Sequence, residues 1–261
     1  MVQNRVLPCL LVQSGKLVKT IRFKNPQYVG DPVNAVKIFN EKEVDELVLC
    51  DISPDRHVKG PDMALIRKVA DECFMPLTYG GGISDLDQIR EILKSGVEKV
   101  VINSALANGS QLVSDGAAFF GNQCIVVSMD VKKNWLGRYK VYFQSGNKES
   151  SYTPQEFLLE MIEAGAGEII INNIDLEGSW KGLDLEMLKK MNAISSVPLI
   201  ASGGAGSLVH IKEVFEETGV SAVALGSMAV YQQQGLGVLI NFPKSQYLKE
   251  IRQGVGKKLV Y

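Results

Sequence analysis

A closed (β/α)8 barrel assembled from two related halves is the fold that this sequence predicts, and two observations predict it. Eight short runs rich in Val, Ile and Leu recur along the chain, with amphipathic helical patterns between them. Crossovers of that length suit parallel strand pairing. Segments of the first half also return in the second, in the same order. "DELVLCD" (45–51) matches "GEIIINN" (167–173) at an offset of 122, and "GGGI" (80–83) matches "GGAG" (203–206) at 123. "GVEKVVINSA" (96–105) matches "GVSAVALGSM" (219–228) at 123, and Leu11 falls on Asp130 at 119. Four matches in order indicate one α/β domain over 1–261, with half-barrels of approximately 1–120 and 121–261 and approximate two-fold symmetry.

The expected strands are 5–11, 46–52, 76–80, 98–103, 124–130, 168–174, 197–201 and 221–226. Their near-continuous apolar composition is that of strands buried on both faces. Helical periodicity covers 32–43, 85–96, 154–165 and 207–219. Hydrophobic residues make up 46% of the chain, enough for a sizeable core. The net charge of -1 argues against nucleic acid and anionic membranes as partners. No apolar stretch is long enough to span a membrane, and the N-terminus lacks the pattern of a signal peptide. Four cysteines, at 9, 50, 73 and 124, form no CxxC and read as small buried hydrophobes of a reducing, cytoplasmic compartment. His57 and His210 are isolated, so neither a metal site nor a His-based triad is expected, and no cofactor.

In such a barrel the chemistry sits at the C-terminal ends of the strands. Each half offers a Gly-rich turn after its third strand and a small polar segment after its fourth. The first set is Gly80, Gly81 and Gly82 with Asn103 and Ser104; the second is Gly203, Gly204 and Gly206 with Gly226 and Ser227. Glycines let backbone N–H groups approach an anion closely, so two opposed phosphate cradles and an elongated phosphorylated ligand are expected. The "EGSWKG" loop (177–182), with Gly178, is expected to join one of them. Asp130 ends the fifth strand as a candidate acid–base residue. Leu11, its counterpart on the first strand, can neither donate nor accept a proton. Strand alternation turns Asp51 and Asp175 away from the axis, toward roles in holding loops or capping helices. Lys19 suits a contact to a phosphate or developing anion and equally a solvated place in the loop.

At the other end, residues two apart on a strand share a face. Counting back from Leu11 reaches Arg5, and the same parity brings Glu46, Lys99 and Glu168 into the bottom of the barrel. Charges inside must be paired. They form either a structural plug of salt bridges or a gate on an axial passage lined by Thr78; the residues alone leave both readings open.

With "GDPV", "DELVLCDI", "GGGI", "KVVINSA", "GAGEII" and "ASGGAG" added to the four charges, the chain resembles, nearly end to end, the family of the cyclase subunit of imidazole glycerol phosphate synthase. The resemblance implies a TIM barrel of the ribulose-phosphate-binding type. It also implies a heterodimer with a glutaminase (a glutamine amidotransferase subunit) docked on the N-terminal face. Ammonia released there would pass Arg5, Glu46, Thr78, Lys99 and Glu168 and reach a bis-phosphate ribulosyl intermediate, which is cleaved and cyclised in histidine biosynthesis. In that family two aspartates, at the ends of strands 1 and 5, do the acid–base work; Asp130 matches one and Leu11 stands at the other. "CLLVQSGKLVKT", "DVKKNWLGRYKVY", "NNIDLEGSWKG" and "VLINFP" resemble a divergent branch associated with acetamidino modification of sugars in surface polysaccharides such as O-antigens. There the ammonia is handed to a separate sugar amidotransferase. Delivery without cyclisation is the expectation that Leu11 favours; the alternatives are the histidine-pathway cyclase itself and a non-catalytic scaffold that activates the glutaminase.

Overall fold

The computed structural model describes residues 4–252. Eight strands pair in parallel in chain order: β1 (Arg5–Gln13), β2 (Leu47–Asp51), β3 (Leu77–Gly80), β4 (Lys99–Ile102), β5 (Ile125–Lys133), β6 (Glu168–Asn173), β7 (Leu199–Ser202) and β8 (Ala222–Leu225). β8 returns to β1, which closes the barrel. A helix follows each strand: α1 (Pro32–Glu41), α2 (Met63–Glu72), α3 (Leu86–Lys94), α4 (Gln111–Phe120), α5 (Pro154–Glu163), α6 (Leu185–Asn192), α7 (Leu208–Thr218) and α8 (Ser245–Arg252). All eight expected strands are present, with boundaries moved by at most three residues. Among the described residues no helix is long and apolar enough to cross a membrane.

Local chemistry starts most of these helices. Asp31, Asp62, Asp85, Thr153, Asp184 and Ser207 each accept a hydrogen bond from a backbone N–H of the first turn. Such a cap contributes about 1 kcal/mol. Thr153 and Glu156 form a reciprocal capping box, and Pro32 and Pro154 occupy first-turn positions whose missing N–H costs nothing. The strands bury their outer faces under the helices. Their inner faces meet in a small apolar plug of Leu7, Val48, Val101, Val126, Ile170, Ile200, Ala222 and Ala224.

Two elements stand outside the expected pattern. β1 and β5 each run on past the barrel into an antiparallel hairpin. The first comprises Lys16–Ile21 and Lys24–Gly30, the second Tyr139–Phe143 and Lys148–Glu149. Both hairpins rise at the C-terminal end and lean on each other's neighbourhood: a Cβ at Gly146 would lie 3.5 Å from the Phe23 ring.

The structure also corrects the register of the repeat. A Cβ at Gly81 would lie 2.4 Å from the Asp51 carbonyl oxygen, and one at Gly203 would lie 2.5 Å from that of Asn173. Gly82 packs on Gly60 and Gly204 on Gly182 in the same way. The glycine turns therefore superpose at an offset of 122, one less than the letter match of "GGGI" with "GGAG". The helix caps Asp62 and Asp184 obey the same offset. α7 is two residues longer than α3, and beyond it β4 and β8 correspond at 123.

Candidate functional site

At the N-terminal end, the four charges placed there by strand parity meet in a closed ring. Arg5 pairs with Glu46 and Glu168, and Lys99 Nζ lies 3.0 Å from a carboxylate oxygen of each. Thr78 Oγ1 donates to Glu46 at 2.9 Å. The glutamates are buried and the two cations half-buried. Glu46 and Glu168 are related by the repeat, whereas Ala222 stands at the counterpart of Lys99. Two symmetric anions are thus bridged by two unrelated cations.

At the C-terminal end, Asp130 sits low on the inner wall, buried. Asn103 Nδ2 donates to its Oδ2 at 3.1 Å and Ser128 Oγ to its Oδ1 at 3.4 Å. Burial pushes its carboxyl up to about 7, while hydrogen bonds from Asn103, Ser128 and Asn172 and the Arg56 charge pull the other way. A carboxyl that titrates near neutrality is suited to passing protons in either direction. Strand register confirms that Leu11 is its counterpart: Leu11 pairs with Cys50 on β2, and Asp130 with Asn172 on β6. The neighbours differ as well. Where Asp130 has Ser128, Asn172 and Asn103, Leu11 has Cys9, Cys50 and Gly226, none of which carries a carboxamide or hydroxyl.

Leu11 lines a narrow cavity with Lys19, Phe23, Glu177, Asn172 and Cys9, with four of the five residues of the second cradle, Gly203, Gly204, Gly226 and Ser227, and with Gly178, which joins that cradle. Lys19 does not lie in solvent. It is buried, ion-paired with Glu177, and donates to the Thr20 carbonyl at 2.7 Å. Burial pulls its ammonium down to about 8. Glu177 also accepts from Thr20 Oγ1 (3.2 Å) and the Phe23 backbone (3.1 Å), so it ties the first hairpin to the β6–α6 loop. The Asn172 Oδ1 atom is buried without a hydrogen-bond partner among the described residues.

The first cradle is less free. Gly81 and Gly82 are left-handed, with φ of 121° and 74°, and bring the turn against Asp51 and Gly60. Asn103, expected at a phosphate, spends its amide on Asp130 and on the Ser128 carbonyl (2.9 Å). Ser104 opens a single 3₁₀ turn, and its hydroxyl lies 3.4 Å from Asn103 Oδ1. In the second cradle Gly206 is likewise withdrawn, because its N–H donates to His210 Nδ1 at 3.2 Å. Asp51 holds the loop after β2 by accepting from the Ser53 N–H (2.7 Å), and Asp175 accepts from the Lys133 N–H (3.0 Å); neither caps a helix.

Sequence reasoning passed over Glu177, Asn172 and Arg56. Glu177 lies inside the "EGSWKG" loop, and its charge beside Gly178 is the available signal. Arg56 links the β2–α2 loop to the second hairpin through Ser145 Oγ (3.0 Å) and projects its charge toward Asp51 and Asp130. Among the described residues no group of three or more His, Cys, Asp or Glu side chains is placed to hold a metal.

Residues 5–235 match the family described as histidine biosynthesis protein. The chain is 48% identical over 247 residues to a provisionally named imidazole glycerol phosphate synthase subunit HisF of Leptospira interrogans, covering 94% of this chain and 97% of that one. It is 46% identical over 243 residues to a provisionally named subunit hisF2 of Pseudomonas aeruginosa, with 93% and 97% covered. With imidazole glycerol phosphate synthase subunit HisF of Streptococcus sanguinis, a name without that qualifier, identity is 40% over 233 residues, covering 89% and 92%.

Proposed function

The chain belongs to the histidine biosynthesis protein family, on the branch of imidazole glycerol phosphate synthase subunit HisF, and on that premise we propose that it is the lyase-type synthase subunit of a glutamine-dependent complex. A glutaminase docks on the N-terminal face, where Phe74, Phe119 and Ile194 stand exposed at the ends of α2, α4 and α6 around the charged ring. Ammonia enters when one ion pair of the ring opens, and passes the apolar plug to the C-terminal mouth. There the second cradle holds a phosphate of the acceptor, Lys19 supplies positive charge beside it, and the unused Asn172 Oδ1 accepts an N–H of the incoming ammonia. Asp130 moves the protons.

The observation that carries this reading is Asp130, a buried carboxyl pushed up to about 7, held by Asn103 and Ser128 and paired in register with Asn172, which lines the mouth cavity. It supports cyclisation of the ribulosyl bis-phosphate intermediate, the histidine-pathway activity. The test is growth of a histidine auxotroph that lacks its cyclase subunit. The chain with its glutaminase is expected to restore growth, and Asp130→Asn to lower turnover in the purified complex by about 10²–10⁴-fold. Absence of rescue by well-expressed protein would overturn the cyclase reading.

Leu11 favours a second reading. With one carboxylate of the pair absent, the barrel conducts ammonia to a separate sugar amidotransferase for acetamidino modification, and need not cyclise anything. Here glutamine amide ¹⁵N reaches an amidinated sugar only when that acceptor enzyme is present, and Leu11→Asp creates cyclase turnover that the native chain lacks.

A further inference from the structure

A second cavity lies away from the mouth. It runs down the outer wall between the second hairpin and helices α5 and α6, about 700 Å³ in volume. Its floor is apolar, built from Leu176, Leu183, Leu185 and Met191, and its rim carries Lys133, Arg138 and Lys181. The acidic groups inside it are already occupied. Asp184 accepts from the Tyr139 hydroxyl, Asn173 Nδ2 (3.0 Å) and the Met187 N–H (3.2 Å), and Glu186 pairs with Lys190 at 2.6 Å. Lys133 Nζ lies 4.9 Å from the Tyr139 ring centroid. Among the described residues no carboxylate forms a salt bridge with Lys133, Arg138 or Lys181.

Beside this socket the hairpin turn projects Trp135, 89% exposed, and Leu136, 54% exposed. Asn134 fixes the turn, its Oδ1 accepting from the Leu136 and Arg138 N–H groups at 3.0 and 3.1 Å. The tip is therefore held out and not tucked against the barrel. Residues 131–149 contain five basic side chains against one acidic, Glu149, which Tyr142 engages at 2.8 Å, in a chain whose overall charge is -1. A rigid aromatic knob next to a concave socket whose rim carries three cations outside any salt bridge among the described residues is the anatomy of a protein-binding hot spot. A small anion would use the cations but leave the knob and the apolar floor without a partner.

We propose that Trp135, Leu136 and the adjoining basic socket dock a second protein through an acidic segment that carries a large apolar side chain. The carboxylates would meet Lys133, Arg138 and Lys181 at the rim, and the apolar side chain would fill the floor against Tyr139. This surface is independent of whether the mouth cyclises its ligand or hands ammonia on.

The probe is a fluorescein-labelled twelve-residue peptide of Asp and Glu with Leu and Phe at its centre, titrated with the full chain and followed by polarisation. Saturable binding is expected. Trp135→Ala with Leu136→Ser, and separately Lys133→Glu with Arg138→Glu, should each weaken it at least about tenfold. The substitutions lie on an exposed turn and rim, and unchanged thermal melts report intact folding. No binding, or equal binding by the native chain and both variants, overturns the proposal. So does full displacement of the peptide by millimolar inorganic phosphate, which would make the socket an anion site. Sedimentation showing a dimer of the chain that Trp135→Ala abolishes also overturns it, by assigning the surface to a second copy.

Discussion

Asp130 on β5 stands among Ser128, Asn172 and Asn103; at the corresponding places around β1 stand Leu11, Cys9, Cys50 and Gly226. Below these summits the halves agree closely. Gly81 and Gly203 approach the strand before them to within 0.1 Å of the same distance, the caps Asp62 and Asp184 coincide, and Glu46 and Glu168 enter the same ring. The frame of a repeat is set by turns that admit only glycine and by caps that start helices, and both halves need these to fold. The residues that titrate at the mouth are under no such constraint. In the function proposed above, proton chemistry belongs to the β5 side, and the β1 side offers Lys19, paired with Glu177.

The sharpest way to break this contrast uses pH. The folded-state carboxyl of Asp130 lies near 7, above the ordinary value of 3.8. Below pH 4 it is protonated in both folded and unfolded chains and costs nothing. As pH rises from 4 to 7 the unfolded chain releases the proton first, so stability falls, and above 7 the loss is constant. Asp130→Asn should then be more stable than the native chain by up to about 4 kcal/mol at pH 8 and nearly equal to it at pH 4. Urea unfolding at the two pH values measures this. A flat difference would mean that Asp130 is ionised at ordinary acidity and that the two summits differ less than their residues imply. Leu11→Asn, by contrast, should give no pH-dependent difference.

Much of this was legible in the sequence because the governing physics is local or periodic. The eight apolar runs gave the strands, and an alternation of two put Arg5, Glu46, Lys99 and Glu168 on one inner ring although they are up to 163 residues apart. The hairpins after β1 and β5 were missed because Lys16–Ile21 and Tyr139–Phe143 mix basic and apolar residues, and pair with a continuation of the barrel strand itself. Lys19 was ambiguous for a related reason. Its partner Glu177 is 158 residues away on another loop, and no periodicity links two irregular loops. Asn103 was assigned to a phosphate on its place after a strand; that its amide turns back to Asp130 depends on the neighbouring strand's register.

The charged ring sharpens the comparison at the end where the halves agree. Glu46→Gln leaves Arg5 and Lys99 with only Glu168 between them, and removing one partner from a buried pair costs about 3–5 kcal/mol. The low end of that range is expected, because the Arg5 and Lys99 side chains keep 22% and 21% of their exposure. Glu168→Gln should cost the same to within about 1 kcal/mol, since each glutamate meets the same two cations. Denaturation midpoints of the two variants decide it. Unequal costs would show that the repeat is not reflected in the energetics of the ring.

The smallest effect is expected at Gly226, the counterpart of Asn103. Its φ of -94° lies outside the left-handed region, so what an added Cβ meets sets most of its cost. That is the Lys19 Cε at 3.0 Å, the flexible end of a long side chain. Gly204→Ala would instead drive a Cβ to 2.0 Å from the Gly182 carbonyl oxygen at a φ of 108°, where backbone must move. Gly226→Ala should therefore change stability by less than about 1 kcal/mol. It displaces the Lys19 ammonium by a few tenths of an ångström relative to Glu177, which should weaken binding of a phosphorylated ligand severalfold while leaving the unfolding midpoint in place. Isothermal titration with ribulose 5-phosphate, beside urea unfolding of the same variant, separates the two. Unaltered affinity would place Lys19 outside the ligand's reach and reduce the β1 side of the mouth to packing.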